Sequence, residues 1–222
     1  DTPRGTLRVT ASGTFAELYL FPHIGSFLGA FPELSLEFVT SSDVLDLIQA
    51  RIDVAIRIGK PADSSLIARK LCDHERHVVA SPDYLATHGR PVDPSDLAER
   101  SCLLYPYAGH PYRWRFRKDG AETEVDVSGR AIMDHGVGLL RAAEAGVGLA
   151  VLPLWLAAES IREGRLEVVL PEYEVTPTDF DTAVYFCYPS REYLPLKVRT
   201  FFEFLRGRFE TSPWADVCGD MS

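Results

Sequence analysis

The residues of this 222-residue chain best suited to chemistry are polar side chains that close apolar strands. Ser12-Gly13-Thr14 follows the alternating run Leu7 to Ala11, Thr40-Ser41-Ser42 ends the run from Leu34, and Arg57-Ile58-Gly59 ends the run from Asp53. A fourth group, Asp134-His135-Gly136, opens a helix in the second half. Each turn alone reads as capping chemistry, since short polar side chains satisfy the free N–H groups that start a helix. Together they point to recognition. Open parallel sheets bind ligands at the carboxyl ends of their strands, and helix N-termini attract anions. The expected partner is a small organic anion, with carboxylates among the candidates.

Catalysis has no comparable support. The sequence contains no Gly-x-Ser-x-Gly elbow, no His-Glu-x-x-His and no P-loop. Gly136, Gly138, Gly146 and Gly148 crowd one helix without forming the dinucleotide fingerprint, so no cofactor is expected. Cys72, His74 and His77 read as one strand with His77 on the opposite face and no fourth ligand, so no metal is expected either.

A net charge of −9, from 23 Lys and Arg against 32 Asp and Glu, excludes a free-standing cationic nucleic-acid module. Hydrophobic residues at 46% and charged residues at 25% suit a folded globular core. No apolar run reaches the ~18 residues of a membrane span, and the longest candidate, Gly146 to Ala158, is interrupted by Pro153. A soluble protein with no membrane partner is expected. Cys72, Cys102, Cys187 and Cys218 are scattered, which reads as reduced cytoplasmic thiols. The start, Asp1-Thr2-Pro3-Arg4, has neither an initiator Met nor a signal core, as expected of a fragment or a processed chain.

The elements that must position these residues alternate. Strand, helix, strand, helix, strand over the first 60 residues predicts a parallel sheet; the helices carry Leu20, Ile24, Phe27, Leu28 and Phe31, then Val44, Leu47 and Ile48. Pro22 must sit in a first turn or kink its helix. Arg113, Arg115 and Arg117 alternate with Tyr112, Trp114 and Phe116, and Asp119-Gly120 makes a two-residue hairpin turn. That turn sets Arg117 opposite Glu122, Arg115 opposite Glu124 and Arg113 opposite Asp126, a solvated face rather than a phosphate patch. A helix capped by Gly146 follows, then strands over 147–152, 165–170 and 182–188. Last comes a helix with Val198, Phe201, Phe202, Leu205 and Phe209 behind Pro195, then a loose tail over 210–222. Phe204 lies off that stripe.

Gly5-Thr6-Leu7-Arg8-Val9, Phe31-Pro32, Asp53 to Gly59, Ser64 to Arg69, Ala80-Ser81-Pro82-Asp83-Tyr84-Leu85, Ala145 to Gly148 with Leu152-Pro153, Gly164-Arg165-Leu166 and Leu194 to Arg199 occur in order along the chain. In this succession the chain resembles the effector-binding domain of LysR-type transcriptional regulators. The resemblance implies an α/β fold of the type 2 periplasmic-binding-protein class, two Rossmann-like lobes joined by two crossover strands with the effector in the cleft between them. Lobe I would take 1–80 and 185–222 and lobe II 81–184, with crossovers at His77 to Ser81 and Tyr185 to Pro189. By position, Ser12, Thr14, Ser41, Ser42, Arg57 and Gly59 would serve the first lobe's side of the site, and Asp134, His135 and Gly136 the second lobe's wall. The same resemblance implies a winged helix-turn-helix before Asp1 that carries promoter DNA binding. It also implies homo-oligomers in which the helix after Thr14 meets a partner's 195–208 helix. Effector binding would then act by population shift on subunit arrangement. The alternatives are a periplasmic solute-binding protein of the same fold and an enzyme on a two-lobe scaffold, which would need a nucleophile and base.

Overall fold

The computed structural model describes residues 2–40, 46–59, 66–189, 194–209 and 214. The chain opens with β1 (Gly5–Ala11), α1 (Gly13–Phe15), a π-helical stretch (Ala16–Leu20), a 3-10 turn (Phe21–His23), α2 (Ile24–Ala30), β2 (Leu34–Thr40), β3 (Val54–Gly59) and β4 (Leu66–Asp73). Next come β5 (Arg76–Ala80), α3 (Pro82–His88), a second 3-10 turn (Pro94–Glu99), β6 (Ser101–Leu104), β7 (Arg113–Lys118), β8 (Ala121–Asp126) and β9 (Ser128–Ile132). The order ends with α4 (Gly136–Glu144), β10 (Ala150–Pro153), α5 (Leu154–Arg162), β11 (Glu167–Val169), β12 (Glu174–Thr176), β13 (Ala183–Pro189) and α6 (Leu196–Phe209). Residues 2–73 with 182–209 form one compact unit, and 74–181 with Trp214 form another.

The first unit is a five-stranded sheet in the order β2-β1-β3-β13-β4. β1 pairs in parallel with β2 and β3, as the alternation predicts, because Leu7, Val9 and Ala11 need an apolar layer beneath them. β13, from far along the chain, inserts antiparallel between β3 and β4. The helical run after β1 is contiguous but changes its bonding pattern. It passes from α to π to 3-10 and back, and the 3-10 turn holds Pro22, which has no N–H to donate. Part of the expected second helix falls on 41–45, outside the described residues, and 47–51 form turns instead of helix. α6 buries the predicted stripe and is tied to the sheet by Lys197, which donates to Asp53 at 2.6 Å and to the Thr6 carbonyl at 2.7 Å.

The second unit holds three sheets, β10-β5-β11, β12-β7-β8 and the parallel pair β6-β9. Val78, Ala80, Trp114, Phe116, Val151 and Val175 share its core. β5, which the resemblance counts with lobe I, hydrogen-bonds here to β10 and β11 because its Val78–Ala80 face packs in this core. The compact unit that contains β5 spans 74–181 together with Trp214. The hairpin has the predicted register, Arg113 opposite Asp126 through Lys118 opposite Ala121, with Asp119 and Gly120 both at positive φ. Arg117 nevertheless turns from Glu122 to Glu174 of β12 and to Asp181, since the third strand and the segment after it bring these carboxylates to 2.5 and 3.0 Å. Cys72, His74 and His77 do not share a strand: Cys72 is in β4, His77 in β5, and His74 between them accepts from the Trp155 indole at 3.0 Å. Of the expected loose tail only Trp214 is described, and it is buried.

Candidate functional site

In the first unit the parallel ladder aligns the ends of three strands. Ala11 pairs with Thr40 on one side and Ile56 on the other, so Ser12–Thr14, Thr40 and Arg57–Gly59 gather at one sheet edge. Gly13 lies against Thr40, where a Cβ would sit 4.0 Å from the Thr40 Cβ. Ser12 precedes α1 but makes no side-chain capping bond, so its hydroxyl is not committed to the helix. Gly59 closes β3 at φ 114°, a conformation that a side chain would strain. Arg57 pairs with Tyr185 of β13, and its charge eases ionisation of Cys187, although burial keeps that thiol at about 11. Ser41 and Ser42 lie outside the described residues.

In the second unit Asp134, His135 and Gly136 lead from β9 into α4. The His135 ring Nδ1 accepts from Gly138 N at 3.3 Å, so this histidine is the cap of α4. Asp134 is exposed beside Tyr105, whose phenol is pushed up by burial and by that carboxylate. Tyr105 packs on Tyr107 with ring centroids 4.5 Å apart. These rings, with Tyr112, Trp114, Leu139 and Pro177, line a crevice with about 10 Å³ of free space, room for one water.

Sequence reasoning missed Arg76. It lies on β5, two residues before core Val78, and its Nη1 donates to the Thr176 hydroxyl at 2.9 Å while its guanidinium also hydrogen-bonds Tyr107. Burial works against its charge, whereas Tyr107 and Asp179 support it. Its Nε is buried without a partner. The signal was present: Arg76, Val78 and Ala80 alternate, which puts the arginine on the face of two core residues.

Burial holds Cys72 and Cys102 at about 12, far from the thiolate. Among the described residues no cluster of metal-ligating side chains occurs, and no helix is long and apolar enough to cross a membrane.

The family model of the LysR substrate binding domain matches residues 1–210. The chain belongs to the LysR substrate-binding-domain family. The HTH-type transcriptional regulator PtxR of Pseudomonas aeruginosa is 34% identical over 212 residues, covering 96% of this chain and 67% of PtxR. The regulatory domain of CrgA, a LysR-type transcriptional regulator from Neisseria meningitidis, matches with a TM-score of 0.76 at 29% identity, over 93% of this chain and 100% of that one. Full-length AphB, a virulence activator of Vibrio cholerae, matches with a TM-score of 0.79 at 26% identity, over 94% of this chain and 69% of AphB. This LysR-family chain thus spans about two thirds of PtxR and AphB. Its fold is that of LysR-type regulatory domains, the type 2 periplasmic-binding-protein class. The relatives are transcriptional regulators, which does not favour the solute-receptor reading.

Proposed function

We propose that this domain is the effector-sensing and self-associating part of a non-enzymatic LysR-type regulator that works in the cytoplasm. The family match over residues 1–210 carries this reading. The two units serve as its regulatory lobes. Ser12, Thr14, Ser41, Ser42, Arg57 and Gly59 in the first, and Asp134, His135 and Gly136 in the second, are the proposed effector contacts. Support comes from the uncommitted Ser12 hydroxyl and from the strand-end gathering in the first unit. Promoter binding belongs to a helix-turn-helix segment outside this chain, in keeping with an acidic net charge of −9. Effector binding favours one subunit arrangement over another, and a few kcal/mol of differential affinity is enough for a switch.

The test uses the natural full-length polypeptide. Genomic fragments selected on it are footprinted with and without compounds that raise the melting temperature of residues 1–222. DNA retention by the longer polypeptide, absent from this chain alone and altered by such a compound, is the expected result. A full-length protein whose DNA occupancy no stabilising compound changes contradicts the reading.

A further inference from the structure

Arg113, Arg115 and Arg117 share the face of β7 opposite the core residues Trp114 and Phe116. Arg113 and Arg115 between them take Asp126, Glu124 and Glu122, which leaves Arg117 to pair with Glu174 at 2.5 Å and Asp181 at 3.0 Å. Asp181 is where the chain leaves the second unit; it enters the first at Thr182. The segment before Asp181 is held on the same face. Arg115 Nη1 donates to the Thr178 carbonyl at 3.2 Å, and the Thr176 hydroxyl accepts from Thr178 N at 3.1 Å and donates to the Asp179 carbonyl at 3.0 Å. Half-buried Phe180 meets the guanidiniums of Arg115 and Arg117, 5.2 and 4.5 Å from its ring centroid, and a ring in that position is attracted by both cations.

The other passage between the units, Asp73 to His74, is also held on the second unit: His74 accepts from the Trp155 indole at 3.0 Å, and Leu154 N donates to the Glu75 carbonyl at 2.9 Å. Beyond both passages the chain is committed to the first sheet, where Asp73 pairs with Ala183. We propose that Arg115, Phe180 and Arg117 clamp the second connection to the hairpin, so that bending of the chain between the two units is confined to Asp181-Thr182 and Asp73-His74. Asp181 stands at φ 58°, a left-handed turn that aspartate tolerates, directly after the clamped ring. Ion pairs and cation–π contacts on an open face are individually weak, so the clamp releases and re-forms and thereby sets the range of arrangements the two units sample. It holds whether or not the domain senses an effector, since it concerns the free chain.

The experiment is limited chymotrypsin digestion of residues 1–222, following by mass the fragments 1–180 and 181–222 that arise from cleavage after Phe180. Cleavage tracks the population in which the clamp is open, and Arg117→Gln is expected to raise its rate about tenfold with little change in melting temperature. Arg113→Gln, which breaks ion pairs on the same face without touching the connection, leaves the rate as in the parent. Asp181→Asn, which suits the same φ and removes only the charge, accelerates cleavage as well and carries the test should Arg117→Gln fail to fold. Bending is read by spin labels on Glu33→Cys and Glu99→Cys in a Cys218→Ser background, whose distance distribution is expected to broaden when Arg117→Gln or Asp181→Asn is added. An unchanged cleavage rate in both variants, equal acceleration by Arg113→Gln, or an unchanged distance distribution despite faster cleavage overturns the assignment. The effector-sensing reading stands or falls separately, on the DNA occupancy of the full-length protein.

Discussion

At Gly129 the chain has no room for a side chain. The neighbouring strand presses the Cys102 carbonyl against its Cα, and a Cβ there would overlap the oxygen. Backbone cannot swing aside as a side chain can, so Gly129→Ala should destabilise by about 3 kcal/mol, read as a lower urea midpoint with an unchanged slope. Glu144 makes a different residue-scale statement. Burial opposes its charge, yet the Ser160 hydroxyl at 2.6 Å, Arg165 at 2.8 Å and Arg141 at 2.7 Å hold the carboxyl at about 2, below its ordinary 4.5. A depressed carboxylate stabilises the fold above its unfolded value and loses that contribution as the pH falls through its folded one. Allowing for solvent screening at the exposed arginines, the contribution is about 1 kcal/mol. The stability gap between the parent and Glu144→Gln should close between pH 4.5 and about 2. Neither residue's role was legible in sequence, since Cys102 and Ser160 reach them only through tertiary contacts.

Among the elements, α6 shows how a local signal is completed by a distant partner. Its stripe was legible because Val198, Phe201, Phe202, Leu205 and Phe209 recur on one helical face. Its anchoring was not. Asp53 receives Lys197 at 2.6 Å and Arg8 N at 3.0 Å, joining the start of β3 to β1 and α6. Asp53→Ala removes both acceptor contacts of a largely buried carboxylate, and a loss of about 2 kcal/mol in equilibrium unfolding is expected. The hairpin was legible to the residue, because a two-residue turn with φ positive at both positions fixes its register. The partners of Arg117 were not, because Glu174 of β12 follows 57 residues later and no periodicity announces which strand will lie alongside.

For the whole molecule the open question is assembly. Phe204, off the α6 stripe, packs on Phe27 with centroids 4.9 Å apart and under Arg208, so its ring is already engaged within the chain. Leu18, on the helical run after Thr14, remains 45% exposed. An apolar side chain on the face expected to meet a partner is the better probe of self-association. Leu18→Glu should shift sedimentation velocity profiles toward the monomer with little change in melting temperature. An unchanged association constant would remove that helix from the interface.

The family, the parallel start of the first sheet, the hairpin register and the last helix were determined by sequence alone, because each rests on local periodicity, turn chemistry or an ordered set of short motifs. The tertiary structure decided what depends on chain segments far apart. It placed β13 between β3 and β4, gave β5 to the second unit and brought Arg76 to the Thr176 and Tyr107 hydroxyls. Periodicity reports which face of an element is buried; which charge meets that face is set by strands whose arrival no local pattern encodes.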